Sequence, residues 1–483
     1  MKHLFPILSI LSLALIPFSL IADPYRNING FFGERATGMG GAYTAISDDP
    51  AGAFYNPAGL AYAYDNSISL SASNYSITKK NYEDVIGPGQ GYSRNSQNYI
   101  PNFFGIVREV DKARIAFTIV NPVNDTFNRN DLIQAPLYYP DISTLRNYNR
   151  ESYNVIHVGL SYAKPISSKF SWGASLYYTS DTSSITFTQL TQNRNKSYFS
   201  NTYNDNRKTT GLLPIIGIMY TPSEHWSFGI SLRRNFVTGG NRLINTFDQG
   251  SSARSSDEIT FVEGTHENLT GIRGSSFYKG PTPTGRVPET YELRTGVAYF
   301  PTKQLLAAFD VIHTSGYSRS QDNTEITLSP TRTLIGLTDS DNLELRRYAT
   351  TNIAAGIEYY ITDFLSARFG FFTNNANSKP MSWENAAISA ALKNQGASQT
   401  VFSQGGTAVN VRLPGLRDDP RNEYVNTRGL SLGFSISTAK ASIGFNIVKE
   451  FGTGVSQIDA TRLSQSMTYD STSLYVVVSS RNN

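Results

Sequence analysis

Ser76-Ile77-Thr78-Lys79 sets a hydroxyl three residues from an amine, the spacing of a serine acyl-transfer nucleophile, and Ser340-Asp341-Asn342 matches the usual second motif of such enzymes. The third motif, Lys-Thr-Gly, is missing. Lys208-Thr209-Thr210-Gly211 is one residue too long and precedes Ser340, and Ser76 closes a strand-like run where a helix should open. Gly38-Met39-Gly40 has the start of a phosphate-cradling loop, but no strand precedes it and Tyr43 stands where the third glycine belongs. His157, His225, His266 and His313 show no metal-ligand spacing. With no cysteine in the chain, thiolate zinc sites, Cys nucleophiles, disulfides and lipid attachment through an N-terminal Cys are all excluded. These residues assemble no catalytic constellation, so the expectation is a non-enzymatic protein with no metal and no cofactor.

The composition points away from nucleic acid as well. In 483 residues, 42 Lys+Arg face 38 Asp+Glu, and the basic residues are dispersed instead of forming a patch. The unusual feature is 29 Tyr and 27 Phe in a chain only 39% hydrophobic. Many aromatics in a polar chain are what alternating strands produce, not what helical bundles produce.

That alternation recurs along the chain. Ile68, Leu70 and Ala72 alternate with Ser67, Ser69, Ser71 and Ser73; Trp172, Ala174, Leu176 and Tyr178 alternate with Ser171, Gly173, Ser175 and Tyr177. Trp226 to Arg233 and Leu430 to Ser437 repeat the pattern, one face apolar and the other small and polar. The predicted strands are 66–76, 99–108, 113–121, 153–163, 169–180, 209–221, 225–237, 290–300, 304–315, 349–361, 363–373, 427–438, 440–451 and 471–480. That makes about 14, each near the ~9–11 residues that span a bilayer at a tilt.

The connections alternate in length. Tight links at 109–112, 165–168, 222–224, 301–303, 362 and 439 separate long polar segments such as 122–152, 181–208, 238–289, 316–348 and 374–426. An even strand count with short turns at one end and long loops at the other describes an outer-membrane antiparallel β-barrel, with both chain ends on the periplasmic side. A soluble sandwich array gives no reason for loops to alternate in length, and no Pro/Ser/Gly-rich hinge divides the strands. Trp172, Tyr177, Tyr178, Trp226, Tyr299, Tyr359 and Tyr360 stand near strand ends, as interfacial girdles require. Within one long loop, Trp383 to Leu392 reads as a short helix.

Residues 1–22 read as a secretory signal peptide: Lys2 and His3, an apolar stretch from Leu4 to Ile21 broken by Pro6 and Pro17, then Ala22. The mature chain is therefore expected in the cell outer membrane of a diderm, Gram-negative-type bacterium, as a monomer among outer-membrane lipids. Residues 23–65 do not alternate. They include Gly38-Met39-Gly40-Gly41-Ala42, then Asp48-Asp49, then Asn56-Pro57-Ala58. Small residues at this density pack a backbone closely against another surface. About 14 strands enclose a lumen too wide for side chains alone to fill, so this segment is expected to lie inside the barrel formed by 66–483.

At these residues the sequence resembles the FadL/TodX family of outer-membrane transporters for long-chain fatty acids and other hydrophobic compounds. The resemblance implies a 14-stranded barrel with residues 23–65 as an N-terminal hatch, whose motif positions are Gly38, Gly40, Gly41, Asp48, Asp49, Asn56, Pro57 and Ala58. It implies passive uptake of a hydrophobic small molecule, with release sideways through a gap at a kinked strand and Asn56-Pro57-Ala58 packed near that kink. Asn121-Pro122 closes the third predicted strand, and proline, which cannot donate to a ladder, suits either an opening or a strand end. By the same resemblance Phe31, Phe32 and Met39 either border an apolar pocket near the free N-terminus, where rings and a flexible thioether suit an alkyl chain, or simply anchor the hatch to the wall. Arg35 is either a contact for a ligand carboxylate or one half of an ion pair. The last strand departs from the family pattern: Leu474-Tyr475-Val476-Val477-Val478 is followed by Ser479 to Asn483 and not by a terminal aromatic. Two other classes stay open, a surface barrel whose long loops bind unknown partners in adhesion or secretion, and a general porin, which a filled lumen argues against.

Overall fold

A computed structural model describes residues 27–28, 30–64, 66–134, 136–137, 142–194, 198–251, 273–280, 289–320, 325–328, 344–377, 423–456 and 465–482. The signal segment 1–22 and the helical stretch Trp383 to Leu392 lie outside them. The chain forms a closed 14-stranded antiparallel barrel. Its strands are β1 (Asn66–Gly87), β2 in two pieces (Gln90–Ile100 and Phe103–Val110), β3 (Ala113–Gln134) and β4 (Ile142–Pro165). Then come β5 (Phe170–Asn193), β6 (Tyr198–Ser223), β7 (Trp226–Arg234 and Phe236–Ser251) and β8 (Arg273–Gly280 and Tyr291–Thr302). The circuit is completed by β9 (Leu305–Thr314), β10 (Thr350–Tyr360), β11 (Leu365–Asn374), β12 (Glu423–Ser437), β13 (Ala441–Ser456) and β14 (Gln465–Asn482). Each strand pairs with its sequence neighbour, and β1 closes on β14 from Asn66↔Asn482 to Tyr82↔Met467.

The alternating faces are turned as a membrane barrel requires. Leu176 on β5 is 54% exposed, while its neighbours Ser175 and Tyr177 are 4% and 0% exposed. Ile68 and Leu70, Phe228 and Ile230, and Leu432 and Phe434 likewise face out, with Ser69, Gly229 and Gly433 buried between them. A soluble protein puts the apolar face inside; this chain shows it outside, where only lipid tails make it favourable. Trp226 lies against Tyr299 across β7 and β8, ring centres 4.5 Å apart, in the outward aromatic set near the tight turns. Tyr177 is not part of that set. Strand side chains alternate strictly, so exposed Tyr178 forces Tyr177 into the lumen, where its hydroxyl meets that of Thr118 at 2.7 Å. Tyr360, next to exposed Tyr359, turns away from the lipid for the same reason.

Three sequence expectations change. Strands β3 to β6 run 22, 24, 24 and 26 residues, so much of 122–152 and 181–208 is paired strand and not loop. Above the lipid neither face need be apolar, and the period that marks a strand is lost. The third strand does not end at Pro122: it continues to Gln134 through a bulge between Val120 and Val123 that takes up the missing N–H. The last strand does not end at 480 but carries Arg481 and Asn482 into the β1 ladder, opposite Ser67 and Asn66. Asp111 and Lys112, at φ 46° and 62°, make the two-residue turn from β2 to β3 in the left-handed region such tight hairpins use.

Candidate functional site

The N-terminal segment, residues 30–64, is almost wholly buried against the inner face of the barrel. It carries two short helices, α1 (Glu34–Gly38) and α2 (Gly52–Tyr55), and a 3-10 turn over Pro57–Tyr62. The inward serines explain the small polar face of the strands. Ser171 and Ser175 on β5 donate to the carbonyls of Ala58 and Ala53, at 2.9 and 2.7 Å. Ser227 and Ser231 on β7 donate to Ala45 and Tyr55, and Ser431 on β12 donates to Gly38. A segment with so little regular structure leaves its carbonyls unpaired, and the wall supplies the missing donors.

Charges fix the segment further. The guanidinium of Arg35 lies 2.6 Å from Asp48 and 2.7 Å from Glu358 on β10. Arg368 on β11 bridges Glu358 at 2.7 Å and Glu34 at 3.0 Å, and Ser442 on β13 donates to Glu34 at 2.8 Å. On β9, one oxygen of Asp310 accepts the N–H groups of Tyr43 and Thr44, each at 2.9 Å, and the Thr44 hydroxyl at 2.6 Å. Asp49 accepts the Ala51 N–H at 2.8 Å; burial and the neighbouring Asp48 push its carboxyl up to about 6. Burial likewise raises the Tyr55 phenol to about 12, so it stays neutral and accepts the Phe32 N–H.

Asn56 uses both ends of its side-chain amide. Its amide donates to the carbonyls of Thr44 at 2.8 Å and Ile218 at 3.1 Å, and its oxygen accepts the Ala58 N–H at 3.1 Å. Pro57 and Ala58 rest on Gly173 of β5, and a Cβ at Gly217 of β6 would stand 2.0 Å from the Asn56 oxygen. Asn56-Pro57-Ala58 therefore packs on β5 and β6 and not beside a strand kink, as the resemblance implied. Gly38 sits against Arg368 and Asn446, Gly40 against the β11 backbone, and Gly41, at φ +84°, touches the Phe31 ring.

The break in the wall lies elsewhere. β2 is interrupted at Pro101-Asn102, directly across from the Asn121-Pro122 bulge of β3, with Asn121 N–H donating to the Asn102 carbonyl at 2.8 Å. Below this point a ladder joins β2 and β3 from Val110↔Ala113 to Phe103↔Val120. Above it, among the described residues, no backbone ladder joins Gln90–Ile100 to β3; side chains cross instead. Arg129 reaches the Ser93 carbonyl, Tyr92 donates to Asp131 at 2.9 Å, and Arg94 pairs with Glu151 at 2.6 Å while lying over the Phe127 ring. Gly30 and Phe31 meet the break from inside. The Phe31 carbonyl accepts from Asn102 at 2.9 Å, and a Cβ at Gly30 would be 3.3 Å from the Pro122 carbonyl.

A cavity of about 260 Å³ opens beside this break. Phe31, Phe32, Phe54 and Tyr55 line it together with Pro122 and Val123 of the bulge. Phe32 and Phe54 meet edge to face at 5.2 Å, and Phe31 meets Phe372 of β11 in the same way at 4.8 Å. Of the predicted ligand residues, the structure thus brings Phe31 and Phe32 to the cavity. Met39 is fully buried against Gly356 of β10, and Arg35 is committed to its two carboxylates; neither lines the cavity. Sequence reasoning missed Phe54, Tyr55, Arg233, Glu292 and Arg294. Arg233 stood in plain view as the one charged inward residue after Ser227, Gly229 and Ser231, a position where the other inward residues of that strand are small.

No protein-family model and no curated protein matches the sequence. Solved structures do. A FadL homologue from Pseudomonas aeruginosa superposes with a TM-score of 0.56 at 13% identity, covering 93% of this chain and 98% of that one. At the level of fold the chain is a FadL/TodX-type barrel. The toluene transporter TodX of Pseudomonas putida gives a TM-score of 0.56 at 11% identity, over 94% and 98% of the two chains. The toluene transporter TbuX of Ralstonia pickettii gives 0.51 at 12%, over 95% and 100%. This FadL/TodX-type barrel thus shares its fold, over nearly its whole length, with proteins that differ from it at most positions.

Proposed function

We propose that the protein is a passive outer-membrane channel that takes up hydrophobic small molecules through a barrel closed by an N-terminal hatch, residues 23–65. A single observation carries the reading: an aromatic-lined cavity lies against the one place where β2 and β3 part, above a lumen occupied by the segment. An apolar solute entering from the loop side meets Phe31, Phe32 and Phe54, and the segment bars its way straight through. The break itself, where Pro101-Asn102 of β2 faces the Asn121-Pro122 bulge of β3, offers a sideways exit into the membrane, where an apolar solute is more stable than in water. Similarity of fold to transporters of toluene supports this reading, as does a wall built to hold the segment in place. The porin alternative is disfavoured because water-filled conduction needs the space that the segment occupies.

The test combines binding and conductance. Purified protein should bind a fluorescent hydrophobic probe saturably and show little steady current in a planar bilayer, and deletion of 23–64 should open a large channel. Absence of saturable binding to fatty acids and aromatic hydrocarbons alike overturns the transport reading. A second reading, a surface barrel that binds partners, draws on one observation: β3 to β6 rise well past the ~9–11 residues a membrane needs, giving a tall polar sheet.

A further inference from the structure

The outer wall of the barrel changes character where β12, β13, β14 and β1 leave the lipid on the loop side. Below that level their outward side chains are apolar: Leu430 on β12, Ile447 on β13, Leu474 on β14 and Ile77 on β1 all stand exposed. The next outward residues are Arg428, Lys449, Thr472 followed by Asp470, and Lys79. Arg428 and Lys449 come at the end of the ~9–11 residues a tilted strand needs to cross a bilayer, measured from Ser437 and Ala441 at the tight turn. Register makes one patch of them. Lys79 stands directly across from Asp470, Lys449 across from Thr472 and Leu430, and Arg428 across from Phe451, one outward position above Lys449. Facing and diagonal side chains on a ladder lie within ~8 Å of each other. At ~4.8 Å per strand the patch is about 14 Å wide.

Its charges do not balance. Lys449 pairs with Asp470 and donates to Thr472 at 3.2 Å. Arg428 and Lys79 are exposed and have no hydrogen-bond or ion-pair partner among the described residues. Glu450, beside Lys449 in sequence, points into the lumen, where Asn374 and Thr427 donate to it, and Glu83 and Asp84 stand farther along β1. Three cations thus share one carboxylate. The far side of the barrel differs. Arg234 on β7 lies over the rings of Phe236 and Tyr291 and donates to the Tyr291 hydroxyl at 2.6 Å. On β9 and β10 the same level carries His313 and Thr351, bonded to each other at 3.0 Å.

We propose that this patch binds the phosphate groups of an anionic glycolipid in the outer leaflet, whose acyl chains lie along the apolar residues beneath. The guanidinium of Arg428 matches a phosphate in two parallel hydrogen bonds, and Lys79 and Lys449 act as point charges on either side of Asp470. The apolar column directly under the cations selects an amphipathic ligand over a free ion, since the acyl chains and the phosphates are satisfied on adjoining surfaces. The site lies on the lipid-facing wall, so it stands apart from the cavity and does not depend on the transport reading.

Binding of fluorescent lipid A to the full-length protein in nonionic detergent tests this, with phosphatidylethanolamine and inorganic phosphate as comparison probes. Lipid A should bind saturably, at least ~10-fold tighter than phosphatidylethanolamine, and more weakly in 1 M salt, where the Debye length falls to ~3 Å. Lys79→Gln/Arg428→Gln should weaken lipid A ~10- to 30-fold and leave phosphatidylethanolamine unchanged. That variant keeps the Lys449–Asp470 pair intact, and Asp470→Asn, which removes the patch's carboxylate, should tighten lipid A. Arg150→Gln/Lys208→Gln, at exposed cations of β4 and β6, should change nothing. If Lys79→Gln/Arg428→Gln fails to fold, the lipid ranking and Asp470→Asn still decide. Equal binding of the two lipids, equal losses in the two double variants, or displacement of lipid A by equimolar inorganic phosphate overturns the site. Hydrophobic-probe binding and bilayer conductance should be parental in every variant, so failure here leaves the transport reading standing.

Discussion

Removing Arg35 should do more damage than removing the carboxylate it pairs with. The network holds two cations, Arg35 and Arg368, and three anions, Glu34, Asp48 and Glu358. Arg35→Met leaves Arg368 alone with Glu34 and Glu358, whose side chains are only 7% and 0% exposed. Two buried carboxylates then compete for one guanidinium, the situation in which a broken buried pair costs ~3–5 kcal/mol. Glu358→Gln instead leaves two matched pairs, Arg35 with Asp48 and Arg368 with Glu34, and costs only the ~1–2 kcal/mol of weakened hydrogen bonds. The double substitution Arg35→Met/Glu358→Met keeps Arg368 with Glu34 and strands only Asp48, whose side chain is 36% exposed and can be hydrated. Its cost should fall below that of Arg35→Met alone, a coupling that marks a shared network. Because the chain lacks cysteine, Ala36→Cys, at a fully buried position, reports unseating of the segment through its thiol-labelling rate. The expected order is Arg35→Met fastest, by ~10²- to 10⁴-fold over the parent, then the double variant, then Glu358→Gln. Equal rates for Arg35→Met and Glu358→Gln refute the charge-counting argument, and parental rates for all three refute the network's role in seating the segment.

Other outcomes follow from the same geometry. Gly217→Val should drive a side chain into the Asn56 oxygen, destabilise by ~1–3 kcal/mol and raise bilayer conductance; an unchanged current would show that Asn56 does not hold the segment shut. Asn56→Ala strips the Thr44 and Ile218 carbonyls and the Ala58 N–H of their partner at once, and should cost ~2–3 kcal/mol in a thermal-unfolding assay; Asn56→Asp, which keeps the Ala58 contact but sets an acceptor oxygen against both carbonyls, should cost at least as much. Cysteines at Asp111 and Glu224, in the tight turns, should label only after the outer membrane is broken, and one at Asn193 should label on intact cells; the reverse pattern inverts the topology. Asp49, raised from 3.8 to about 6, favours the seated segment when protonated, so its contribution is complete below pH 4 and lost as pH rises through 6. Asp49→Asn should therefore stabilise by ~1–2 kcal/mol at pH 8 and by nothing at pH 4, a difference read from paired melts.

Strands within the lipid belt were legible because two solvents act on their two faces. Leu430-Ser431-Leu432-Gly433-Phe434 alternates since lipid selects one side and the packed segment the other, and that pairing fixes both period and register. The upper halves of β3 to β6 were not legible, because Asn147, Asn149 and Glu151 face much the same polar surroundings as Tyr148 and Arg150 between them. The break in the wall was half legible. Pro122 was visible as a missing donor, but its meaning depended on Pro101, which stands across the ladder from it and about 20 positions away in the chain, and nothing local links the two.

The cavity was least legible, and the reason is geometric. Phe31 and Phe32 could be proposed because they adjoin the motif in sequence, whereas Arg233, Glu292 and Arg294 join the site only through the register Glu292↔Arg233 between β7 and β8. A register of this kind is set by the whole ladder from Tyr291↔Arg234 to Tyr299↔Trp226, not by the pair itself. Seen along β7 alone, Arg233 is an inward charge among Ser227, Gly229 and Ser231, where a small residue would let the segment sit closer. Its presence therefore costs packing space and desolvation together, and the wall retains it where the segment gives way to the cavity. Its guanidinium lies over the Phe54 ring of the segment and pairs with Glu292, so the charge is held at the edge where segment and cavity meet.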